Sequence, residues 1–129
     1  MPLSHLFSHV DLRVRDADRS VRFYDTVLES MGLRRRPGGV EFISWSRPEE
    51  GDSAAQWLGI TVDPHMVAGS ARVCFSAADR AEVDRIADVA RRAGALHFEP
   101  PHEAYGSDYY AAFFEDPDGN RLEVACFVE

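Results

Sequence analysis

Apolar and polar positions alternate or recur along this chain in an order that repeats. Val10, Leu12 and Val14 alternate with His9, Asp11, Arg13 and Arg15, which predicts a strand with one apolar and one polar face. Asp16-Ala17-Asp18 then opens a helix, with Asp18 as the expected N-cap. Val21, Tyr24, Val27, Leu28 and Met31 recur at helical spacing up to Gly32, a natural stop. A short strand is expected over Leu33 to Arg36, a turn at Pro37-Gly38-Gly39, and further strands over Val40 to Trp45 and Gln56 to Val62, separated by a polar loop. The unit is β-α-β-β-β.

After a connector from Asp63-Pro64 to about Gly69-Ser70 the pattern starts again. Arg72 to Ala77 predicts a strand, and Asp79 to Ala93 a helix with Val83, Ile86, Val89 and Ala90 as its buried stripe before Gly94. A shift of 62 lays Val21 on Val83, Tyr24 on Ile86 and Gly32 on Gly94, whereas a shift of 63 lays His9 on Arg72 and Asp16 on Asp79. Leu96 to Glu99 is the next strand, followed by a loop from Pro100 to Gly106. Two strand-forming runs around Asp116-Pro117-Asp118-Gly119-Asn120 then predict a β-hairpin. Pro117 presets φ in its turn, Asp116 and Asp118 bond nearby amides, and Gly119 takes φ > 0. After the turn Leu122, Val124, Cys126 and Val128 alternate with Arg121, Glu123, Ala125 and Phe127. The simplest account of Glu123 is an exposed face of a half-buried strand. The chain is thus two such modules in tandem, about 5–63 and 70–129, in an α+β fold.

Composition narrows the function classes. With 129 residues, 45% hydrophobic and 28% charged, the chain is one ordinary globular domain, able to bury about two-thirds of its unfolded surface. A net charge of -8 argues against nucleic acid as a partner, and no apolar run approaches the roughly 18 residues that would span a membrane. Met1 to Phe7 lacks the pattern of a secretory signal, so a cytoplasmic location is expected. Cys74 and Cys126 lie inside expected strands, which suits free thiols of a reducing compartment, buried in the core. All 14 basic residues are arginine; Arg34-Arg35-Arg36 is the one cluster, expected as a solvated strand end rather than an anion site.

Three stretches carry a resemblance. His9-Val10-Asp11-Leu12-Arg13-Val14, Phe23-Tyr24 in the first helix, and Asp116-Pro117-Asp118-Gly119-Asn120-Arg121-Leu122-Glu123 near the end resemble the vicinal oxygen chelate superfamily, which includes glyoxalase I, bleomycin-resistance proteins, extradiol dioxygenases and fosfomycin-resistance enzymes. The resemblance covers nearly the whole chain. It implies that each module forms a curved four-stranded sheet, that two modules make a partly open sheet around a central cleft, and that the chain pairs as a homodimer with sites between modules. It also implies a divalent ion such as Zn, Ni, Mn or Fe, held by His and Glu from the first and last strands of the modules.

Residue by residue, His9 matches the first-strand ligand and Glu123 the last-strand ligand of the second module. The other two positions are Arg72, whose guanidinium has no lone pair to give, and Gly59, which has no side chain. A catalytic metal generally needs three protein ligands. Asp11, on the same strand face as His9, is the nearest recruit by parity. His65, His97 and His102 lie in loops or at a strand edge, where hydrogen-bonded histidines are the commoner case.

Two functions remain open on these residues. In the first, Arg72 takes the metal's place and pairs with Glu123, and the cleft binds a small organic, oxygen-rich or anionic ligand. Parity and the hairpin rim add Asp11, Arg13, Trp57, Thr61, Cys74 and Tyr110 to Arg72 as ligand-binding candidates. Plainer accounts are a salt bridge for Arg72, core packing for Trp57 and Cys74, and aromatic packing for Tyr105, Tyr109 and Tyr110. In the second, a metal on His9 and Glu123 polarises vicinal oxygens of a substrate, as in a metal-dependent lyase, isomerase or dioxygenase.

Overall fold

The alternation at the start of the chain becomes strand β1 (His9–Val14), and the computed structural model describes residues 5–127. Val128 of the final alternation and the first four residues lie outside that range. Helix α1 (Ala17–Glu29) follows, then β2 (Arg34–Arg35), β3 (Phe42–Ser46), a 3-10 segment over Pro48–Ser53, and β4 (Trp57–Val62). The second set is β5 (Arg72–Ser76), α2 (Arg80–Arg92), β6 (Leu96–Glu103), β7 (Tyr109–Glu115) and β8 (Arg121–Phe127). The strands form two separate four-stranded sheets, ordered β1-β4-β3-β2 and β5-β8-β7-β6, each mixed because its first and last strands run parallel. This is the expected α+β duplication.

The duplication is in register with one shift through strand and helix. Asp16 caps α1 by accepting from the Arg19 amide, and Asp79, 63 positions on, caps α2 by accepting from the Glu82 amide. The N-cap is therefore Asp16 rather than Asp18, which lies inside the first turn. The buried residues Ser20, Phe23, Tyr24 and Val27 of α1 match Val83, Ile86, Ala87 and Ala90 of α2 at the same shift. The slip to 62 occurs only beyond the helices, at Gly32 and Gly94, which take φ of 86° and 96°. Val21 is the reason the sequence misplaces it: it continues the apolar period but is only half-buried.

β6 runs past Glu99 through Pro100 and Pro101, where a loop was expected. It is the edge of its sheet, so the prolines' missing N–H groups interrupt no inner ladder, and register shifts on either side of Glu99 absorb the irregularity.

Both helices and one face of each sheet share a single core. Val14, Tyr24, Trp45 and Ile60 from the first set pack in one cluster with Ile86, Phe114, Leu122 and Val124 from the second. α1 touches α2, and the Arg85 guanidinium donates to the Ser30 carbonyl at 2.8 Å. The hairpin turn seals the join. Within it Asp116 accepts from the Asp118 and Asn120 amides, and Gly119 sits at φ 89°. Asp118 does not bond a local amide. It reaches into the first module, where it accepts from the Arg15 amide, Arg15 Nη1 and Arg19 Nη2. Tyr24 donates to Asp116 at 2.7 Å, and burial together with that carboxylate holds its phenol well above its usual pKa. Among the described residues no helix is long and apolar enough to cross a membrane.

Candidate functional site

Since each sheet spends one face on the shared core, its other face points away from that core. Strand parity decides what it carries. On the first sheet the register aligns His9 with Trp57, Asp11 with Gly59 and Arg13 with Thr61, and β3 adds Phe42 and Ser44 on the same side. The His9 and Trp57 rings stack at 4.0 Å with 3° between their planes, and Phe42 meets Trp57 edge-on at 5.6 Å. Those rings occupy the space over Gly59: a Cβ there would lie 2.9 Å from Phe42 and 3.0 Å from Trp57. Asp11 accepts from Thr61 Oγ1 at 2.8 Å and lies 3.7 Å from Arg13 Nη2. Trp57 is thus half-buried on the open face, not in the core.

On the second sheet the register aligns Cys74 with Glu123 across β5 and β8, and Phe113 with Glu123 across β7 and β8. Gly59 and Glu123 therefore hold equivalent places, as do His9 and Arg72, so the residue matching made from sequence is the one the strands adopt. Glu123 is not an exposed-face carboxylate. It is 5% exposed and accepts from Tyr109 Oη at 2.5 Å. Tyr109 also lies against Cys74, with Sγ 3.8 Å from Oη. Burial first, and then the bond to Glu123, raise the Tyr109 phenol far above its usual pKa. Cys74 is solvent-accessible rather than a core thiol, yet its sulfur is shielded by these neighbours. That desolvation, followed by the Glu123 charge, pushes the thiol up to about 11. Cys126 is the buried thiol.

Arg72 is exposed, and its guanidinium lies 4.9 Å from the Phe113 ring centre while Nη1 donates to the Leu122 carbonyl at 3.2 Å. It forms no ion pair with Glu123 or any other carboxylate among the described residues. The expected Arg72–Glu123 pair is absent because Tyr109 already holds the carboxylate and Phe113 holds the guanidinium. Around them stand Tyr105, 5.1 Å from Tyr109, and Phe127, also 5.1 Å from Tyr109. Ala111 and Ala125, cross-strand partners, form a small-residue floor between them.

Tyr110 is misplaced by the sequence reading. It points to the opposite side of β7, donates to Asp84 at 2.6 Å and stacks under Arg80 on α2. The residue on Glu123's face is Tyr109. A signal for this existed: a five-residue turn that pairs Glu115 with Arg121 puts Tyr109, Ala111 and Phe113 on the parity of Glu123. His97 and His102 are hydrogen-bonded, to Glu115 and to the Pro100 carbonyl.

Within one chain the donor set does not converge on a metal ion: His9 and Glu123 lie on the outer faces of different sheets, and Asp11 is engaged by Thr61 and Arg13. Their two counterparts are a guanidinium and a glycine covered by aromatic rings. Among the described residues no three His, Cys, Asp or Glu side chains gather where they could hold one.

Comparison with known proteins agrees with this architecture. The family model of the Glyoxalase/Bleomycin resistance protein/Dioxygenase superfamily matches residues 6–124. An uncharacterized protein of Pseudomonas aeruginosa is 30% identical over 128 residues, covering 95% of this chain and 89% of its own length. The crystal structure of a glyoxalase/bleomycin resistance protein from Albidiferax ferrireducens superposes with a TM-score of 0.78 at 26% identity, over 93% of this chain and 97% of that one. A fosfomycin resistance protein from Mesorhizobium loti shares the fold, with a TM-score of 0.69 at 21% identity over 97% and 93% of the two chains.

Proposed function

Because the chain belongs to the glyoxalase/bleomycin resistance protein/dioxygenase superfamily, we propose that it binds a small organic, oxygen-rich or anionic molecule by means of a fixed guanidinium where metal-using members would place an ion. The observation that carries this is Arg72. It occupies the strand position equivalent to His9, is braced by Phe113 and the Leu122 carbonyl, and has no carboxylate partner among the described residues. A braced guanidinium with spare donors matches a carboxylate or phosphate and loses little conformational freedom on binding.

The cleft in this proposal is shared between two copies. In one chain the open faces look away from a common core, so the His9–Trp57 face of one protomer meets the Arg72–Glu123 face of its partner. Large apolar side chains on those faces support it: Phe42 is 41% exposed, Tyr105 73% and Phe127 77%. Asp11, Arg13, Trp57 and Thr61 would then line the cleft opposite Arg72 and Cys74. Two free thiols support a cytoplasmic setting.

The test is elemental analysis of protein purified without chelator, together with calorimetric titration of a panel of small carboxylates and phosphates. Binding that falls about tenfold or more in Arg72→Met, with no stoichiometric metal, is the expected result. About one Zn, Ni, Mn or Fe per chain would return the metal-dependent lyase, isomerase or dioxygenase. For the assembly, light scattering should give a dimer that Phe127→Glu weakens.

A further inference from the structure

The open face of the second sheet carries charges of both signs that do not neutralise each other. Arg72 and Glu123 flank the same ring: the guanidinium lies over Phe113, and Glu123 is Phe113's cross-strand partner. Neither has a counterion of its own among the described residues, since Arg72 bonds a carbonyl and Glu123 a phenol. A buried carboxylate without a cation is costly, and a hydroxyl partner offsets only part of that cost. Glu123 also lies among aromatic rings, of which Tyr109 touches it and Tyr105 and Phe127 pack on Tyr109. Aromatic side chains around an anion favour an organic cation over water.

We propose that this face selects a zwitterion, its carboxylate on Arg72 and its ammonium on Glu123 within the aromatic cluster. Arg72 and Glu123 form no ion pair among the described residues, and Phe113 lies beside both, so a ligand that meets both groups carries its two charges on either side of a short apolar or flat spacer. The inference rests on the proposed anion site at Arg72 and adds the second charge.

Four probes test it by isothermal titration: 4-(aminomethyl)benzoate, 6-aminohexanoate, benzoate and benzylamine. The expected result is that at least one zwitterion binds about tenfold or more tightly than either singly charged probe. Arg72→Met should reduce it to the level of benzylamine, and Glu123→Gln to that of benzoate. Both variants are mild, since the methionine stem still covers Phe113 and glutamine can still accept from Tyr109; melting curves check that each remains folded. If benzoate matches the zwitterions and still depends on Arg72, the anion site stands and the zwitterion inference is overturned. Should neither these probes nor the panel of carboxylates and phosphates bind in an Arg72-dependent way, both fail together.

Discussion

Asp118, in the last hairpin turn, and Arg19, in the first helix, meet at 2.6 Å across the join between the two sheets. The carboxylate is fully buried, and it also accepts from the Arg15 amide and Arg15 Nη1. A residue 99 positions from its partner thus holds the end of the chain onto its beginning.

Asp118→Ala should therefore destabilise the protein by about 2 kcal/mol, because the Arg15 amide, both arginine side chains and the buried Ser20 hydroxyl lose their acceptor at once while the half-exposed arginines recover some hydration. Tyr24→Phe should cost less, about 1 kcal/mol, since Asp116 keeps the Asp118 and Asn120 amides and the Asn120 side chain. Urea unfolding curves check both the values and their order.

The helix caps give a sharper comparison. Asp16→Ala removes the acceptor of the Arg19 amide and should cost about 1 kcal/mol, whereas Asp18→Ala, inside the first turn, should change stability by less than about 0.5 kcal/mol. Equal effects would contradict the cap assignment.

Cys74 should be alkylated slowly at neutral pH despite its accessibility, because its thiol is pushed up to about 11 and the thiolate is the reacting form. Iodoacetamide labelling should accelerate with pH up to that range. In Glu123→Gln the neighbouring negative charge is gone, the thiolate is less disfavoured, and the labelling profile should move to lower pH. An unchanged profile would mean that Glu123 does not face the sulfur.

Gly59→Ala should disturb the aromatic stack rather than unfold the sheet. The new Cβ would fall 2.9 Å from Phe42 and 3.0 Å from Trp57, and Phe42, 41% exposed, has room to swing aside. The expected signature is a change in tryptophan fluorescence with a stability loss of about 1 kcal/mol.

What the amino-acid order determined by itself was local: the period of each strand and helix, the turn at Asp116–Asn120, and the repetition of the whole set. These follow from side-chain parity and turn chemistry, which act over a few residues. Parity along β1 and β4 alone puts His9, Asp11, Arg13, Trp57 and Thr61 on one face, as the strand register has them. Tertiary structure decided the rest. Whether Glu123 is exposed or buried depends on Tyr109, a partner 14 residues away across a hairpin, and whether Arg72 pairs with it depends on Phe113 claiming the guanidinium first. Which way the open faces look depends on both helices entering one core, a contact between halves that alternation within either half does not encode.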